Sequence, residues 1–79
     1  MNKQELKAAL ESAGVDEDAY WLEGGRPNEA YTLERRDNGW AVYYSEKGNR
    51  NDEVVFDTED EACCELLNWV LNDDTVMGR

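Results

Sequence analysis

The side chains that could do chemistry in this 79-residue chain are few. They are an adjacent thiol pair, Cys63 and Cys64, two serines, Ser12 and Ser45, and two groups of carboxylates. The first carboxylate group is Asp16, Glu17 and Asp18; the second is Asp52, Glu53, Asp57, Glu59, Asp60 and Glu61. A nucleophilic thiolate needs a neighbouring base or a helix N-terminus, but the chain has no histidine and both thiols fall mid-helix. Neither serine lies in a nucleophile motif. Neither carboxylate group alternates oxygen ligands around a glycine as a calcium loop does. Glu59, Asp60 and Glu61 have a local explanation, since they complement the positive end of the last helix. Gly24-Gly25 lacks the further glycines and the lysine of a phosphate loop. The reading therefore assigns no catalytic residue, no metal and no cofactor, and expects no enzyme.

Charge points to contact instead. Eight basic against nineteen acidic residues give a net charge of −11. Such a field repels nucleic acid and anionic membranes and speeds encounter with basic surfaces. The plainer reading, that acid keeps a small protein soluble, is compatible with this. With 41% hydrophobic residues, three Trp, four Tyr and one Phe, the composition is that of a folded domain. A chain of this length buries only about 60–65% of its unfolded surface, which leaves little interior for a deep substrate pocket. One domain is expected over residues 1–72, with a loose tail over 73–79. Met1 to Gln4 runs into an amphipathic helix, and no apolar run of about 18 residues could span a membrane. Adjacent cysteines do not make a structural disulfide, and reduced thiols suit a cytoplasmic protein.

Periodicity supplies the elements. Asn2 with Glu5 forms a capping box for a helix over Lys3–Ala13, whose apolar face is Leu6, Ala9, Leu10 and Ala13 and which Gly14 ends. An acidic connector, Val15 to Ala19, leads to a short strand, Tyr20 to Glu23, then to the loop Gly24 to Asn28. Strands follow at Ala30–Arg35 and Trp40–Ser45, joined by the hairpin signal Asp37-Asn38-Gly39. A looser turn, Glu46 to Asn51, precedes a strand at Glu53–Phe56. Thr58 caps the last helix, with Glu61 placed for a second capping box and Ala62, Cys63, Leu66, Leu67, Val70 and Leu71 as its buried stripe. The expected fold is an α+β two-layer sandwich, an antiparallel meander of three or four strands with both helices on one face.

Alternation then divides the sheet. Tyr20, Leu22, Tyr31, Leu33, Trp40, Val42, Tyr44, Val54 and Phe56 would face the helices. Trp21, Thr32, Glu34, Ala41, Tyr43 and Val55 would face away, where aromatic anchors among carboxylates resemble an interface core. The alternative is that Trp21 and Tyr43 pack on each other or under a loop.

Three ordered motifs carry a resemblance. They are Gly24-Gly25-Arg26-Pro27-Asn28-Glu29-Ala30-Tyr31, then Trp40-x-Val42-Tyr43-Tyr44-Ser45-Glu46-Lys47-Gly48-x-Arg50, then Phe56-x-Thr58-Glu59-Asp60-Glu61-Ala62-Cys63. The pattern resembles short immunity proteins encoded beside bacterial polymorphic toxins and spans about residues 1 to 71. Lys47 departs from the commoner arginine, and the tail after Asn72 has no counterpart. The resemblance implies direct binding and neutralisation of a cognate toxin domain; the net charge of −11 suggests that this domain is basic, for example a nuclease. Gly24, Gly25, Pro27 and Gly48 would shape turns, and Trp40, Val42 and Tyr44 would fill the core. Contacts would fall on Trp21, Glu23, Glu29, Tyr43, Glu46, Asp52 and Glu53. The competing readings are an acidic regulatory adaptor or nucleic-acid mimic that binds a host nucleic-acid-binding protein, and a small enzyme or ligand carrier. A monomer is expected, or a weak dimer through an exposed sheet edge.

Overall fold

A computed structural model describes residues 1–25 and 29–73. Helix α1 (Lys3–Ser12) leads through a 3-10 turn (Glu17–Ala19) into strands β1 (Tyr20–Trp21), β2 (Ala30–Arg36), β3 (Gly39–Glu46) and β4 (Asn49–Phe56), and helix α2 (Glu59–Leu71) closes the order. The fold is α+β, with one four-stranded sheet in the order β1-β2-β3-β4.

The helix ends form where their residues can satisfy orphan backbone groups. Asn2 accepts from the Glu5 amide at 2.8 Å while the Glu5 carboxylate accepts from the Asn2 amide at 2.9 Å, a complete capping box. At the other end Gly14 takes φ 79°, and Val15 and Gly14 donate to the carbonyls of Leu10 and Glu11. This is a Schellman closure, and Val15 and Leu10 complete it by joining one core cluster. Thr58 caps α2 by accepting from the Glu61 amide, but the Glu61 carboxylate accepts from the Thr58 hydroxyl instead of reaching back to the backbone. Only half of the expected second box forms.

Both helices cover one face of the sheet. Leu6 and Leu10 of α1 and Ala62, Cys63, Leu66 and Val70 of α2 share a core with Val15, Tyr20, Leu22, Leu33 and Val42. Tyr31, Trp40 and Phe56 pack against its margin, whereas Val54, expected in the core, is exposed on edge strand β4. The Lys3 amide donates to Glu59 at 2.8 Å and holds the two helix starts together.

Three details of the sheet differ from the sequence reading. First, β1 is only two residues long and runs parallel to β2, with Tyr20 opposite Tyr31 and Trp21 opposite Thr32. The chain leaves β1 through Gly24 and Gly25, both at positive φ, instead of reversing in a tight turn. The remaining pairs, β2 with β3 and β3 with β4, are antiparallel as the meander requires. Second, the β2–β3 turn places its positive φ on Gly39, at 152°, and not on Asn38. A Cβ there would lie 2.2 Å from the Phe56 carbonyl oxygen, so glycine is needed for space as well as for angle. Third, the β3–β4 turn is tight: Lys47 and Gly48 sit at φ 51° and 80°, and Glu46 pairs with Asn49. β4 therefore starts at Asn49. The slack expected in the turn appears inside the strand, as an irregularity between Val42 and Tyr44 opposite Asp52, which has φ 58°. Of the tail expected over 73–79, Asp73 is held by a bond from the Tyr31 hydroxyl at 2.5 Å, and 74–79 lie outside the described residues.

Candidate functional site

The thiols are placed as expected for structural residues. Cys63 is fully buried, and burial pushes its thiol up to about 11, so it stays protonated at neutral pH. Cys64 is exposed and donates to Asp60 at 3.7 Å. Among the described residues no three His, Cys, Asp or Glu side chains gather as a metal site.

The sheet face turned away from the helices is not the open surface that alternation suggests. Thr32, Ala41, Tyr43 and Ser45 point to it and are all fully buried. Gly24 donates to the Leu33 carbonyl at 3.0 Å, and a Cβ on it would lie 3.0 Å from Glu34 Cγ. Gly25 then presents its carbonyl to the Tyr43 hydroxyl. These two glycines carry the chain onto the face and roof Tyr43. The same hydroxyl donates to Glu34 at 2.6 Å, and the Arg50 guanidinium lies 5.5 Å from the Tyr43 ring centroid. Arg36 completes the cluster, bonding Glu34 at 3.1 Å and Glu53 at 2.8 and 3.1 Å. Burial and the bond to Glu34 push the Tyr43 hydroxyl up to about 12. Burial alone would raise Glu34, but the bonds from Tyr43 and Arg36 outweigh it and hold the carboxyl below its ordinary value. The bond from Arg36 lowers Glu53 as well.

This corrects the expected exposure of Tyr43. Tyr43 is a buried node and not an exposed anchor, because a loop covers it. Glu53 is already engaged by Arg36. Glu23 is similarly engaged, by Lys3 at 3.1 Å, and lies with Trp21 in a cleft of about 750 Å³ between α1 and β1. Trp21 remains exposed, at 47%, but its cleft also contains Lys3 and Lys7, so its charge is mixed.

The other expected residues come together elsewhere. Glu29, exposed at φ 53° just before β2, Glu46 at the end of β3 and Asp52 on β4 make no ion pair among the described residues. Asp52 lines a second cleft, of about 620 Å³, with Tyr31, Tyr44, Trp69, Asn72 and Asp73, and Glu29 and Glu46 lie near its Tyr44. Their nearness is felt by its phenols. Burial first, then the charges of Glu29, Glu46 and Asp73, push the Tyr44 hydroxyl above its ordinary value. Burial, the bond to Asp73 and the charge of Asp52 do the same to Tyr31. Tyr31 and Tyr44 are cross-strand partners, with ring centroids 5.0 Å apart, and the Trp69 ring lies 6.4 Å from Tyr31.

Sequence reasoning missed Trp69, Asp73 and the half-exposure of Tyr31 and Tyr44. A signal for Trp69 existed: it is three residues after Leu66 and seven after Ala62, on the buried stripe. Leu71, assigned to that stripe, is 41% exposed instead. Comparison with known proteins finds no matching family model, no matching curated protein and no matching solved structure.

Proposed function

We propose that this chain is a toxin-neutralising immunity protein that acts by direct contact with a basic protein domain. The observation that carries the reading is that Glu29, Glu46 and Asp52, which make no ion pair among the described residues, stand at or beside a half-open aromatic cleft, on a chain of net charge −11. Carboxylates that no cation among the described residues engages keep their attraction for lysines and arginines on a partner, and rings beside them supply contact area that can be desolvated. Other carboxylates, Glu23, Glu34 and Glu53, are committed to Lys3, Arg36 and Arg50. Glu29, Glu46 and Asp52 thus place negative charge beside this cleft, near the close of α2. Occlusion of a nucleic-acid-binding groove is the form of inhibition that such a surface suits, and the motif resemblance supports a cognate toxin as the partner.

The test is association with the toxin domain encoded by the neighbouring gene. Binding should weaken steeply as ionic strength rises from about 0.01 M to about 1 M, over which the Debye length falls from about 30 Å to about 3 Å. Glu46→Lys should slow association about threefold or more at low salt. No association with that domain would overturn the reading, and salt-insensitive association would remove its electrostatic basis.

A further inference from the structure

We infer that the cleft formed by Tyr31, Tyr44 and Trp69 is an aromatic box for an organic cation, occupied by a lysine or arginine side chain of the partner. The identity of the occupant rests on the function proposed above; the cation site itself does not.

The ring geometry comes first. Tyr31 is inclined at 63° to Tyr44 and at 60° to Trp69, so the three rings form corners and not a stack. All three are half-buried, and they line the cleft that Asp52 and Asp73 flank. Aromatic faces carry negative electrostatic potential and attract ammonium and guanidinium groups placed within about 6 Å of the ring centroid. The molecule uses the same chemistry internally, with Arg35 5.8 Å from the Trp40 ring and Arg50 5.5 Å from the Tyr43 ring.

The polar tips of the box are anchored. The Tyr31 hydroxyl donates to Asp73 at 2.5 Å, and the Trp69 indole donates to Glu65 at 3.0 Å. The rings are therefore held in place before a ligand arrives. The surroundings add a second, independent preference for positive charge. The box lies at the C-terminal end of α2, where the helix dipole is negative, and the last turn of α2 contains no basic residue. Glu29 and Glu46 stand beside Tyr44, so a cation enters through a negative field. A neutral apolar ligand would gain the rings but nothing from these carboxylates.

The test titrates the full chain with n-butylguanidinium and n-butylammonium, with n-pentanol as the neutral control. The readout is the Trp69 indole N–H resonance, assigned with Trp69→Phe. Both cations should shift it saturably, and the alcohol should not. Asp52→Asn and Tyr44→Leu should each weaken cation binding about threefold to tenfold, and Asp18→Asn, in the other cleft, should leave it unchanged. Asn tolerates the positive φ found at residue 52, so Asp52→Asn keeps the fold and the test remains decisive if Tyr44→Leu does not. Absence of a saturable shift, or equal response to n-pentanol, overturns the box. Cation binding without toxin binding leaves the box standing and removes the proposed occupant. Toxin binding that is indifferent to Asp52→Asn and Tyr44→Leu removes the box from the interface and leaves the immunity reading intact.

Discussion

At the scale of single residues, Tyr43 shows how far a face assignment reaches. Alternation along β3 puts it opposite the helices, and that is where it lies. Its hydroxyl, however, donates to Glu34 and to the Gly25 carbonyl under a roof made by the two glycines. A partly buried acceptor left without its donor costs part of its desolvation penalty as well as the bond. Tyr43→Phe should therefore destabilise the protein by about 1–2 kcal/mol, read as a lower urea midpoint with an unchanged slope. An unchanged midpoint would show that the roof is not held by this bond. Asp52 is the counter-example: it is exposed, and its positive φ follows from the strand irregularity and not from any buried contact.

At the scale of elements, the ends are the best-determined parts of the chain. Asn2, Gly14 and Thr58 each satisfy backbone groups that a helix leaves open. Asn2→Ala and Thr58→Ala should each cost about 1 kcal/mol, because each removes the side-chain oxygen that accepts from the third amide of its helix. Thermal melts of the two variants check this; an unchanged melting temperature in either would contradict it. The elements that were misjudged have a common cause. Lys47-Gly48 is not an Asn-Gly or Asp-Gly pair, so its tight turn has no strong local signature, although the backbone adopts positive φ at both positions. β1 is too short for its own residues to specify which way it pairs.

At the scale of the whole molecule, stability should be limited at both ends of the pH range. Glu34 and Glu53 titrate below their ordinary value of 4.5, so the cluster around Arg36 contributes fully above that value. Its contribution is lost as pH falls through the lowered values. The stability difference between the natural chain and Glu53→Gln should therefore be present near neutrality and vanish in acid, as measured by urea unfolding across pH. Relief of repulsion among nineteen acidic residues acts in the opposite sense, which is why the difference and not the absolute stability is the test. At high pH, Cys63 and Tyr43 are raised from 9.0 and 10.0 to about 11 and about 12. The stability linked to their protonated forms declines as pH rises from about 9 towards 12.

Local pattern alone determined the two helices and their caps, the hairpin at Asp37-Asn38, the two faces of the sheet and the α+β class. Each of these depends on backbone preference or side-chain period within a few residues. It also determined the acidity. Tertiary structure alone decided that β1 runs parallel, that Gly24 and Gly25 cover Tyr43, and that Arg36 and Lys3 engage Glu53 and Glu23. It alone brought Tyr31, Tyr44 and Trp69 together with Asp52 and Asp73, from β2, β3, β4 and the end of α2. No local preference encodes that meeting, because it is set by how α2 packs across the sheet. The resulting cleft moves the candidate contact surface from the covered face of the sheet to the end of the molecule where α2 closes.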